Sequence, residues 1–367
     1  MTSSISAYQE AGLYDPAAPN APDRLALLEW FANRGVSVER MARALREGRL
    51  VSLAGDLITH EHLTLTLPEV AARAGMTPER IEAICLAAGL PRIDPRERTF
   101  SERDVPGFRS FEEGALLFGE EAIGRFTRVA GSSLARIAEA VVSLFLVNIE
   151  GPLLEAKSGE LALAQANAIA LERLDELPQA LALIFRSQVE NAIRRFRHAR
   201  RGPGTDTLHA TVGFVDLVGF TPLSRRLSAR ELADVVERFE TAAHDVATAR
   251  DGRVVKLIGD AVMFVAVEAA PACDIALTLM ERFASDPSIS PRGGLAAGEL
   301  LVRGGDYYGP VVNLAARLAD LAVPRELLVT TPVTDEAAGP GLRFEPAGKR
   351  LPKGFDEPVI LSSVERA

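Results

Sequence analysis

The sequence has few cysteines, few lysines, no basic excess and no long apolar run, and each shortage excludes something. Its two cysteines, Cys85 and Cys273, are isolated. They provide neither metal-ligand spacing nor a disulfide framework, so a reducing, cytoplasmic setting is expected. The net charge of −9 removes the electrostatic footprint of a general nucleic-acid binder. The first twenty residues, MTSSISAYQEAGLYDPAAPN, lack the basic start and apolar core of a secretory signal. The most apolar run, IAEAVVSLFLVNI at 137–149, contains Glu139 and Asn148. It is too short to span a bilayer, so no transmembrane segment is expected and a buried core helix is predicted there. Lysine occurs only at 157, 256, 349 and 353, whereas arginine is abundant. Where arginine is the default cation, a lysine marks a place suited to a compact point charge.

What is present is a globular chain of 367 residues, 47% apolar and 25% charged, long enough for two or more domains. Residues 1–20 read as an irregular arm. From Pro22 to about Arg201 the apolar period is helical: DRLALLEWFANRG, then SVERMARALREG, then TLPEVAARAGMTPERIEAICLAAGL with a turn at Gly75-Met76-Thr77. The last helix of this half carries Leu181, Phe185, Val189, Ile193 and Phe196 at i+4 and i+3 steps, a stripe suited to packing on a partner. It runs into RRFRHARR and then Gly202-Pro203-Gly204, a helix stop and linker.

After Thr205 strands alternate with helices. LHATVGFVDLVGF reads as a strand, and Ser228 opens a helix with Glu231 completing a capping box. Val254–Ile258 and Ala261–Phe264 form a hairpin about Gly259-Asp260. Strands follow at GGLAAGELLVRGG, ELLVTT, FEPAGKRL and PVILSSVE, with a helix at GPVVNLAARLADLA. The mixture predicts an α/β sandwich on a mainly antiparallel sheet.

Within this half the chemistry-bearing residues cluster. Asp216 stands at a strand end and Asp260 in the hairpin turn. Adjacent strands would bring both to one sheet edge, where two carboxylates suit hard divalent cations. LVGFTPLS then leaves the strand through Phe220 and Thr221, and backbone N–H groups at such a turn can hold phosphate oxygens. Asn313 and Arg317 are one helical turn apart and share a face. Asp306 lies in a Gly-rich turn just before them, and Lys256 sits alone among aliphatic residues of the hairpin.

FVDLVGFT, VVKLIGDAVMF and GDYYGPVVNLAARL, in that order, resemble the three signature blocks of the class III nucleotidyl cyclase homology domain, and KRLPKGFDEPVILSSV is similar to its closing block. The resemblance covers roughly residues 206–365, with no departure at the principal positions. It implies an α+β protein: a ferredoxin-like catalytic sandwich at 206–367 behind an all-α regulatory domain at 21–179, an N-terminal arm at 1–20, and a linker helix with its Gly-Pro-Gly linker at 180–205. It implies ATP as substrate and 3′,5′-cyclic AMP with pyrophosphate as products. Asp216 and Asp260 would hold two Mg²⁺ or Mn²⁺ ions. Asn313 would place the ribose, Arg317 would stabilise charge on the α-phosphate, and Lys353 would reach the polyphosphate. Lys256 and Asp306 would read adenine, one donating and one accepting, whereas guanine presents the reverse pattern. The family's shared site implies a C₂ homodimer. The alternatives are a guanylate cyclase, which Lys256 with Asp306 argues against, and a catalytically silent regulatory dimer, which the intact Asp216, Asp260, Asn313 and Arg317 argue against.

The helical half with its linker resembles the autoinhibitory, pH-responsive domain of bacterial cyclases. Within it, residues 64–108 also resemble a MerR-like helix-turn-helix. Seven carboxylates against six arginines there remove the basic face that phosphate contacts need, and no nucleic-acid partner is expected. His198, inside the basic run, is the candidate pH-responsive group, with His60 and His62 as others. A hydrophobic ligand beside the 137–149 segment is a further expectation, drawn from composition alone.

Overall fold

A computed structural model describes residues 2–60, 63–174, 176–199, 206–284 and 289–367. The chain divides into two compact units, Met1–Phe185 and Arg186–Ala367.

The first unit is helical. Residues read as an irregular arm instead contain the helix Thr2–Glu10, because Tyr8 and Leu13 are buried in a core with Leu27, Leu28, Phe31 and Met41. Helices Ala21–Ala32 and Glu160–Leu174 are fastened by a fork–fork pair, Arg24 to Glu160, with both N–O distances 2.6 Å. Such charge-assisted double bonds fix geometry as well as adding energy. The pair Leu67–Ala74 and Pro78–Ala87 forms as expected about Gly75, whose φ of 74° only glycine adopts without strain.

The segment 137–149 corrects its expectation. It belongs to one continuous helical stretch, Glu120–Glu155, with a π-helical turn at Leu146–Glu150. Leu134, Val142, Leu144 and Val147 are exposed, so the stretch does not form the buried core helix predicted from its composition. Among the described residues it is the one helix long and apolar enough, by length and composition, to cross a membrane. The hydrophobic ligand expected beside it gains no support. The helix Leu177–Ala199 likewise exposes Phe185, Val189, Ile193 and Phe196. The Gly-Pro-Gly linker lies outside the described residues, as do His62 and the side chain of His60.

The second unit is a single sheet with helices on both faces. Its strands are β1 (Thr207–Val218), β2 (Arg253–Ile258), β3 (Ala261–Ala266), β4 (Ser290–Arg303), β5 (Asp306–Tyr308), β6 (Leu327–Thr330), β7 (Leu342–Arg350) and β8 (Val359–Arg366). They are ordered β2-β3-β1-β4-β6-β8-β7, with β5 paired to β4. Only the β4–β6 pair is parallel. Strand β2 is an edge and carries a bulge between Val254 and Lys256.

The period-2 alternation of β1 divides the core. Val215 and Leu217 pack with helices Ala229–Thr248 and Ala269–Phe283 on one face. Leu208, Ala210, Val212 and Phe214 pack on the other face, with Ala315 and Ala319 of helix Pro310–Leu321. Residue 216 continues this second series, so Asp216 shares a face with the helix that carries Asn313 and Arg317. The helix lies close because Gly294 of β4 leaves it room: a Cβ there would fall 2.4 Å from the Ala319 nitrogen and 2.6 Å from the Ala315 oxygen.

Candidate active site

The β1–β3 register sets Asp216 opposite Ala261, one residue past the hairpin turn. Leu217 N–H donates to the carbonyl of Asp260 at 3.3 Å, which closes the turn onto the end of β1. The two carboxylates therefore belong to one sheet edge. Burial pushes the Asp260 carboxyl above its usual range. Asp216 pushes the same way, while a hydrogen bond to its own backbone and the charge of Arg292 oppose the rise. Each effect follows from whether the surroundings favour or penalise the charged form.

Arg292 is the functional neighbour that sequence reasoning missed. It lies on β4 directly opposite Asp216 in the register. Its Nε and Nη2 both donate to Asp216 Oδ2, at 3.1 and 2.9 Å. Both side chains are about a fifth exposed, 23% for Arg292 and 21% for Asp216. Its Nη1 donates to the backbone carbonyls of Asp320 and Ala322, at 2.8 and 3.3 Å, at the end of helix Pro310–Leu321. A lone arginine ahead of Gly-Gly carried no signal until β1 and β4 were known to pair.

Lys256 and Asp306, fifty residues apart in sequence, meet. Lys256 Nζ donates to Asp306 Oδ2 at 2.5 Å, and Asp306 Oδ1 accepts from the Tyr307 N–H at 2.8 Å. The pair is part exposed, 40% for Lys256 and 26% for Asp306. Next to it Arg253 Nη2 donates to the Gly305 carbonyl, stapling β2 to the turn ahead of β5.

Asn313 and Arg317 stand on the exposed face of their helix, and Arg317 Nη1 donates to Asp320 Oδ2 at 3.1 Å. Phe220 begins the short helix Phe220–Ser224 behind Gly219 and packs partly on the core. The side chain of Thr221 lies outside the described residues. Lys353 is exposed in the loop between β7 and β8.

Residues 10–188 match the family model of the adenylate cyclase regulatory domain, and residues 205–358 match that of the adenylate and guanylate cyclase catalytic domain. An adenylate cyclase of Streptomyces coelicolor is 34% identical over 272 residues, covering 73% of this chain and 70% of that protein. The chain belongs to the class III adenylate cyclase family. A pH-sensitive adenylate cyclase of Mycobacterium tuberculosis is 29% identical over 363 residues, 94% of this cyclase and 88% of that one. An uncharacterized protein of the same species is 31% identical over 359 residues, 97% and 93% of the two chains.

The donor set of the cyclase fits hard cations. Two carboxylates at one edge, one of them pushed up by burial and by its neighbour, are groups that a divalent cation would relieve. Among the described residues no cluster of three or more His, Cys, Asp or Glu could hold a metal ion. The remaining ligands would have to be phosphate oxygens and water, as Mg²⁺ commonly takes them. His198, the candidate pH group of the cyclase, is exposed in the last turn of helix Leu177–Ala199. A second histidine, His209 on β1, went unremarked in the sequence. Its ring nitrogens lie 2.7 Å from Glu336 and 3.7 Å from Glu299.

Proposed function

We propose that this cyclase converts ATP to 3′,5′-cyclic AMP and pyrophosphate, under control of its helical N-terminal domain. The observation that carries the reading is the Lys256–Asp306 pair, a donor and an acceptor side by side on the strands next to the two carboxylates. Adenine offers N1 as acceptor and the 6-amino group as donor, which this pair complements. Guanine would set donor against donor and acceptor against acceptor.

In the reaction the ribose 3′-oxygen bonds to the α-phosphorus, the bond from that phosphorus to the bridging oxygen breaks, and the hydroxyl proton is lost. Asp216 and Asp260 would hold two Mg²⁺ or Mn²⁺ ions, whose chemistry is to acidify a hydroxyl and neutralise phosphate charge. Asn313 would orient the ribose through its amide. Arg317 would meet the charge that builds on the α-phosphate, positioning plus electrostatics being most of what phosphoryl transfer needs. To reach substrate, Arg317 must leave Asp320, an exposed i, i+3 pair of the kind that costs little to break. Lys353, with the backbone at Phe220 and Thr221, would steady the polyphosphate.

The family's shared site puts the carboxylates of one protomer with Lys256, Asp306, Asn313 and Arg317 of the other, so the active species is a homodimer. ATP as substrate and two free, buried cysteines support a reducing, cytoplasmic setting. The likeness to a pH-sensitive cyclase supports control by pH through the N-terminal domain.

The test is cyclic nucleotide production by the purified full-length protein, given ATP or GTP with Mg²⁺ or Mn²⁺ across about pH 5.5 to 8, the histidine range. Cyclic AMP from ATP alone is expected. Cyclic GTP product, or no product from either the full chain or residues 204–367, would overturn the reading.

A further inference from the structure

The proposed site uses Asp216 toward one active site and Asn313 with Arg317 toward the other, so a single chain serves two sites. The contacts of Arg292 join these two services. Its Nε and Nη2 hold Asp216 Oδ2, and its Nη1 holds the Asp320 carbonyl at 2.8 Å. The side chain of Asp320 in turn holds Arg317 at 3.1 Å. A line of hydrogen bonds thus runs from a metal carboxylate, through one guanidinium, to the arginine of the other half-site.

We propose that Arg292 is a positioning residue that aligns Asp216 for its cations and at the same time fastens the end of the Asn313–Arg317 helix, coupling the two active sites of the dimer. This rests on the shared-site reading above. Only arginine can do both tasks, because its rigid fork has enough donors to engage a carboxylate oxygen and two carbonyls together. Fixing on Oδ2 also sets the direction of the carboxylate. A group that orients a metal ligand in this way typically changes metal affinity or activity by about 10–100-fold when removed.

The first measurement is calorimetric binding of an ATP analogue lacking the 3′-hydroxyl, titrated at a series of Mn²⁺ concentrations. In Arg292→Gln the Mn²⁺ needed for half-maximal binding should rise about 10–100-fold, with binding at saturating Mn²⁺ unchanged. Arg292→Lys keeps the charge without the fork and should fall between the two; if the glutamine variant fails to fold, the lysine variant carries the test. An unchanged or lower Mn²⁺ requirement overturns the proposal.

The second measurement is a mixed dimer with one live site. One chain carries Asp260→Ala and its partner carries Arg317→Ala, which leaves the Asp216–Arg292 contact intact in both. Arg292→Lys placed in either chain should lower turnover, through the carboxylate in one case and through the helix in the other. Loss confined to one placement refutes the coupling. An inactive mixed dimer with Arg292 intact in both chains would instead remove the shared-site reading, and the Mn²⁺ titration alone would then decide on Arg292.

Discussion

Gly294→Ala should separate the packing of the Asn313–Arg317 helix from every other property of the sheet. The added Cβ would sit 2.4 Å from the Ala319 nitrogen, 2.6 Å from the Ala315 oxygen and 2.6 Å from Leu318 Cβ. Carbon atoms rest about 3.5–4 Å from their neighbours, and two of these three contacts are backbone, so no rotamer change relieves them. The helix must retreat by roughly 1 Å. Overpacking of this kind costs about 1–3 kcal/mol, or a melting temperature lower by about 2–4 °C per kcal/mol in a unit of this size. A misplacement of about 1 Å at catalytic groups can cost about 100-fold in rate. Gly293→Ala is the control. Its Cβ points to the opposite face, toward Leu327 Cδ1 at 2.7 Å and the Phe214 oxygen at 3.1 Å, away from the helix. It should lower the melting temperature and leave turnover within a few fold. Thermal melts and initial rates of cyclic AMP formation, measured on both variants, decide the matter. Unchanged turnover in Gly294→Ala, or equal losses of turnover in the two variants, would refute the reasoning.

Lys256→Met removes the donor to Asp306 and should lower kcat/KM for ATP by about 10–100-fold, the cost of one unpaired polar partner at about 1–3 kcal/mol. The preference for ATP over GTP should narrow with it; an unchanged ratio would end the base-reading assignment. Asp260 has a folded-state pKa raised first by burial and then by Asp216. The folded state therefore holds its proton more tightly than the unfolded chain, and stability is lost as pH rises through the raised value. Asp260→Asn should melt higher than the parent at neutral pH without metal, with the gap closing below the ordinary carboxylate range; a gap that does not depend on pH would contradict this. Removing residues 1–203 should change specific activity markedly, and equal activity would sink the regulatory role. Burial pushes the thiols of Cys85 and Cys273 up to about 11 and about 12, so both should resist thiol reagents in the native protein and react once it is unfolded.

Much of the catalytic half could be read in advance because its signals are local. The hairpin about Gly259-Asp260, the capping box of Ser228 with Glu231 and the shared face of Asn313 and Arg317 each depend on a few neighbouring residues. Arg292 depends on the pairing of β1 with β4, a contact 76 residues apart in sequence, and no local rule finds it. The helix Thr2–Glu10 was hidden by serines, since what orders it is burial of Tyr8 and Leu13 against distant helices. The 137–149 segment failed in the other direction. Composition reports how apolar a helix is, and the expectation of burial assumed a covering partner that the chain does not supply there.

The edge position of β2 has a consequence for any attempt to re-engineer base choice. An edge strand offers a row of open backbone donors and acceptors to other chains, and bulges or lysines on such strands blunt it. Strand β2 has both, the bulge between Val254 and Lys256 and the lysine itself. The residue that would discriminate adenine is therefore also a guard against edge-to-edge aggregation. Libraries randomised at position 256 will be sorted by solubility before they are sorted by nucleotide, and apolar replacements will be under-represented among soluble clones whatever base they prefer.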